Sequence, residues 1–143
     1  MLGTISSIIS GMAMSIQGVF NTRLGEKIGF SETNAVVQGI AFSITLAIAL
    51  LTGSGNIHNI KSCRKIYLLG GVLGVIITFT VMYGIKTLGP THSVATILVS
   101  QLIMAFLIDL LGLFGSNKIK FNLHELVGII MLISGIIILK WNK

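Results

Sequence analysis

Gln17, Asn21, Gln38, Gln101 and Asp109 fall inside otherwise apolar stretches of this chain. Amides at such places can hydrogen-bond a small polar solute or a neighbouring helix. A carboxylate there can tune charge or couple to an ion. Nothing in their spacing makes an enzyme: there is no Ser/His/Asp set, no paired carboxylates at membrane depth and no phosphate-cradling loop. Gly70, Gly71 and Gly74 read as packing rather than nucleotide binding. His58, His92 and His124 are far apart and lack ligand spacing, so no metal site is expected. Cys63 is the single cysteine, which rules out an intrachain disulfide. The expected chemistry is recognition and passage, without a cofactor.

The elements that must hold these residues follow from composition. Hydrophobic residues make up 53% of the 143 and charged ones 10%, with a mean hydropathy of +0.96. A water-soluble domain carries about 25% charged residues, so the outer surface here must face lipid. The net charge of +6 then reads as Lys and Arg flanking membrane spans, not as a nucleic-acid footprint. The first residues lack the positive segment of a cleaved signal peptide and are expected to remain as a first helix.

Five apolar stretches are expected as helices over 2–24, 31–52, 67–85, 91–113 and 123–139, in one transmembrane domain covering 1–143. Each is long enough for a hydrocarbon core of about 30 Å. Gly25 is the expected stop of the first helix and Ser31 the N-cap of the second, with Glu32 in its first turn. Gly89 and Pro90 mark a stop and restart. Asn122 and Glu125 form a capping-box pair opening the fifth helix. Tyr67, Phe114, Phe121 and Trp141 fall at the expected ends, as an interfacial belt would. The fold class is an all-α integral membrane protein with five transmembrane helices.

Depth separates the polar groups. Gln101 lies near the middle of the fourth stretch. Gln38 lies near the middle of the second, with Asn34 one turn away on the same face. Gln17 and Asn21 share a face of the first. Asp109 is the acid expected inside a span, about 12 Å along the axis from Gln101 and about 80° around it. The two can border one wide cavity but not one narrow face. Each amide can instead serve an interhelical hydrogen bond worth about 0.6 kcal/mol. Asp109 can instead reach the boundary or pair with Lys118 or Lys120.

Small residues recur at four-residue spacing and are expected to be helix-packing positions: Gly3, Ser7, Gly11 and Ser15, then Ala35, Gly39, Ser43 and Ala47. Gly70, Gly71 and Gly74 open the third helix in the same role. Five spans put the termini on opposite sides. Lys61, Arg64, Lys65, Lys118 and Lys120 fall on one side, and Arg23, Lys27, Lys86, Lys140 and Lys143 on the other. Orientation follows an excess of Lys and Arg, and here the two sides carry five each. Three readings stay open: a noisy count in a small protein, insertion in both orientations with head-to-tail pairing, or a partner of fixed opposite orientation.

Gly11, Gln17, Asn21, Leu24 and Gly25 in the first helix, Gly70, Gly71, Leu73 and Gly74 in the third, and Gln101, Leu102, Ile108, Asp109, Gly112, Leu113, Phe114 and Gly115 in the fourth resemble the YdcZ-like (DUF606) family of the drug/metabolite transporter superfamily. The resemblance spans essentially the whole chain. It implies half of an antiparallel, inverted-repeat ten-helix transporter in the plasma (inner) membrane, paired with itself or with a paralogous half. The four-helix small multidrug exporters carry a membrane-embedded Glu in helix 1, where this chain has only Gln17. The expected function is secondary transport of a small solute by alternating access between the halves. A dual-topology channel and a non-transporting membrane subunit are the alternatives.

Overall fold

Backbone polar groups in lipid must be satisfied within the chain, and the protein meets this demand with helices. In the computed structural model, which describes residues 1–116, 118 and 123–141, the order is α1 (Leu2–Ile28), α2 (Phe30–Thr52), two 3-10 turns (Ile57–Lys61 and Lys65–Leu68), α3 (Leu69–Leu88), α4 (Pro90–Leu111), a short 3-10 turn (Leu113–Gly115) and α5 (Leu123–Trp141). No strand occurs among the described residues. α1, α2, α3 (counted from Lys65) and α4 are each long and apolar enough to cross a membrane, while the apolar part of α5, Leu126–Leu139, is shorter.

The ends differ from expectation in instructive ways. α1 does not stop at Gly25 but continues to Ile28. Gly25 instead sits against Phe30 and Met82, as a packing residue inside the helix. The chain turns at Gly29, with φ 97° and ψ 151°. That region is open essentially to glycine alone. The Gly29 N–H donates to the Gly25 carbonyl and the Gly29 carbonyl accepts from the Thr33 N–H, so a single residue joins two helices. Gly29, not Ser31, therefore caps α2, while Glu32 lies in its first turn as expected.

Gly29→Ala should lower the thermal unfolding midpoint in detergent, because a Cβ at this φ and ψ costs about 1–3 kcal/mol and would also run into the Glu32 carboxylate. An unchanged midpoint would show that the junction can re-form in another geometry.

Gly89 (φ 78°, ψ 162°) caps α4 and Pro90 opens it, as expected. At its other end α4 stops two residues early, at Leu111. Gly112 adopts the left-handed conformation (φ 63°, ψ 39°) and donates its N–H to the Ile108 carbonyl. Tyr67 and Phe114 are exposed just outside α3 and α4. Asn122, Phe121 and the Glu125 and Trp141 side chains, and with them the capping box, lie outside the described residues.

The chain divides into two compact units, Met1–Thr87 and Leu88–Lys143. In the first, α1 presents Gly18, Asn21, Thr22 and Gly25 as a buried stripe at spacings of three and four residues, one face of a helix. A Cβ on Gly18 would lie 2.7 Å from Ile85 Cδ1 and 3.0 Å from Val81 Cγ1, so these small residues let α3 come close. Lys86 stands over the Phe30 ring, 5.3 Å from its centre. In contrast, every residue in 1–14 and 39–73 is exposed. In the second unit, α4 and α5 pack antiparallel: His92 near the start of α4 meets the Leu139 carbonyl near the end of α5 at 3.3 Å.

The expected packing stripes have no such contacts. A Cβ on Gly3, Gly11, Gly39, Gly70 or Gly71 would meet nothing within 4 Å, and Ala35 is exposed. Gly74 alone of the expected glycines has a neighbour, Gln38 Nε2, at 3.7 Å from its Cβ position. Ser7, Ser15 and Ser43 donate to the carbonyls of Gly3, Gly11 and Gly39, four residues back. The stripes therefore carry hydroxyls that need no outside partner.

Candidate functional site

Two polar places emerge, one in each unit. In the first unit a seam forms where α1, α2 and α3 meet. Asn21 and Thr22 of α1 and Thr33 and Asn34 of α2 are buried, and Gln38 is half-buried. Asn34 donates from Nδ2 to the Val75 carbonyl of α3 at 3.1 Å. Gln38, one turn on, reaches the neighbouring Gly74, so the shared face of Asn34 and Gln38 points at α3 as their spacing implies.

Hydrogen-bond satisfaction along this seam is uneven. Thr22 returns its hydroxyl to the Gly18 carbonyl at 2.7 Å, and Thr78 to Gly74 at 3.0 Å. Thr33 Oγ1 and Asn34 Oδ1 are buried without a partner. An unmet buried polar atom costs about 1–3 kcal/mol, so two such oxygens on adjacent residues mark a place able to receive a donor from a solute or water. Sequence reading overlooked Thr22 and Thr33. Their signals were the three-and-four spacing with Gly18 and Gly25, and the crowding of Thr33, Asn34 and Gln38 onto the first half of α2.

In the second unit, Leu102, Ala105, Phe106 and Asp109 of α4 face Gly128, Ile129 and Leu132 of α5 across a groove of about 310 Å³. The α4 residues recur at i, i+3, i+4 and i+7, one helix face. Asp109 is half-buried there. Because α4 ends at Leu111, Asp109 belongs to its last turn. Gln101 does not line the groove, consistent with its different direction around the helix. Asp109 makes no ion pair with Lys118, and Lys120 lies outside the described residues. Gln17 and Gln101 are both exposed. The structure thus sets Asn34 and Gln38 against α3, buries Asn21 in the α1 stripe, and sets Asp109 in a groove of its own.

No curated protein and no solved structure matches the chain. The family described as "Putative inner membrane exporter, YdcZ" matches residues 2–138, nearly the full length, from the start of α1 into α5. The chain belongs to that family and is a multi-pass protein of the plasma (inner) membrane.

Proposed function

We propose that the chain is one half of a secondary transporter for small solutes, with α5 as a fifth span and a second copy turned upside down as the other half. Two five-helix halves would enclose a central cavity reached by Gln17, Asn21, Gln38 and Gln101, with Asp109 tuning charge or coupling. Rocking of the halves would alternate access. No bond is made or broken in this reading, so the protein is not an enzyme. Its partners are lipid, its own inverted copy or a paralogous half, and the solute.

The observation that carries the reading is the exposure of Gln101. It stands at the middle of α4, the twelfth of 22 residues, and it is exposed. A polar group facing hydrocarbon at mid-span is costly. In an antiparallel pair the two Gln101 residues lie at the same depth and can bond each other or a solute between them. The open stripes through Gly3, Gly11 and Gly39, with their self-satisfied serines, would supply the close approach that membrane helices need.

Two measurements test this. Reporters fused to the C-terminus should give signal on both sides of the membrane, and a Gln101→Cys variant on a Cys63→Ser background should cross-link to itself. In proteoliposomes, a panel of neutral and cationic fluorescent solutes should include at least one moved with saturable kinetics. Signal from one side only rejects the inverted pair. Unsaturated conductance would mark a channel, and absence of flux a non-transporting subunit.

A further inference from the structure

We propose that the groove between α4 and α5 binds an amphiphilic organic cation, with its positive head at Asp109 and its apolar body along Leu102, Ala105 and Phe106. This names a substrate class for the transporter proposed above and rests on that reading for its biological meaning, although the binding itself does not.

Four features of the groove converge on that ligand. Its volume, about 310 Å³, is at the small end of ligand sites, which run from about 300 to 1,000 Å³. Among the described residues, its walls are apolar on both helices apart from the Asp109 carboxylate. That carboxylate sits in the last turn of α4, where the unpaired carbonyls of a helix end add negative potential of their own. An anion there is poorly placed for stability, whereas a cation beside it would answer both. No basic side chain among the described residues lines the groove; Lys118 stands beside Gly112, past the end of the helix.

Polarity also changes along the groove in one direction. Asp109 lies two residues from the end of α4, while Leu102 lies seven residues further in, about 10 Å along the axis. A ligand that fits must carry its charge at the rim and its apolar part toward mid-membrane. A small hydrophilic amine would leave the inner walls uncovered. The carboxylate needs no proton transfer or bond change to perform this role.

Gly128 provides a way to fill the groove without breaking the helix pair. A Cβ there would meet nothing within 4 Å, so Gly128→Leu should extend into the open space rather than push on α4.

The test uses the full chain in nanodiscs and two fluorescent probes of one shape: naphthylmethyl-trimethylammonium and its uncharged tert-butyl isostere. Both are read against protein-free discs. The wild type should bind the cation more tightly than the isostere. Asp109→Asn should weaken the cation by about tenfold, the effect of roughly one kilocalorie-scale charge contact, and leave the isostere unchanged. Asp109→Glu should keep most of the cation affinity, and Gly128→Leu should lose both probes.

Cation binding within twofold of wild type in Asp109→Asn would overturn the proposal, as would equal binding of the two probes. A co-purified lipid that is lost on Asp109→Asn, with no probe bound after delipidation, would assign the groove to a headgroup amine and overturn it too. Saturable flux of other solutes by a protein that fails these binding tests would reject the groove as a cation site while leaving the transporter reading intact.

Discussion

Gly18→Leu should leave little folded protein. The glycine is buried in the α1 stripe, and even the first carbon of a side chain would come 2.7 Å from Ile85 Cδ1 and 3.0 Å from Val81 Cγ1. Leucine adds three more carbons in the same direction. Ile85 is itself buried and has little room to swing away. Overpacking of this kind costs about 1–3 kcal/mol, occasionally more, and here the upper end applies because α1 and α3 must separate. Separation would also pull Gly25 away from Met82, on the same stripe.

The reading is the fraction that stays monodisperse in detergent after heating, which should collapse at temperatures the wild type survives. Gly11→Leu is the matching control. Its Cβ would meet nothing within 4 Å, so protomer unfolding should be unchanged, while the pairing proposed above should fail. Equal damage from both variants would mean that the two glycines do not differ in role. Equal tolerance would mean that α1 and α3 can pack without close approach.

Thr33→Val should make the protein more stable and less active. The other buried threonine, Thr22, returns its hydroxyl to a carbonyl four residues back, and so do Thr45, Thr52, Thr78, Thr80, Thr87 and Thr96 along the helices. Thr33 is fully buried and its hydroxyl has no partner. Valine keeps the shape and removes the unmet group, so stability should rise by about 1 kcal/mol. If the seam receives a donor from the transported solute, the same change removes one acceptor, and flux should fall by about tenfold for each 1.4 kcal/mol of lost interaction.

Thr22→Val, whose hydroxyl is already satisfied, should change neither quantity much. A gain in stability with full flux would take Thr33 out of the solute path. A loss of stability would show that its hydroxyl has a partner in the membrane-embedded protein. A residue that costs stability and is needed for activity is the usual signature of a working site.

Much of the architecture was legible from residues alone, because lipid makes hydropathy a structural instruction. An apolar run without water to serve its backbone has to be helical, so the helices and the Gly89–Pro90 restart could be read along the chain. The face shared by Asn34 and Gln38 was equally local, since helical spacing alone decides it. What spacing does not state is the neighbour. Gly3 and Gly11, or Gly18 and Gly25, announce a small face in the same way, yet only the second pair meets another helix inside this chain.

Small shifts at helix ends also escaped the sequence. Gly25 looks like a stop and Gly29 is one, because which glycine leaves the helix depends on whether Phe30 and Met82 pack against it. The left-handed Gly112 ends α4 early and puts Asp109 in its last turn. Hydropathy and motif spacing were enough for the helices, their membrane setting and the family. Which polar atoms are buried without partners, and which glycines bear contact, emerged only from the packed chain, because both depend on residues distant in sequence arriving at one place.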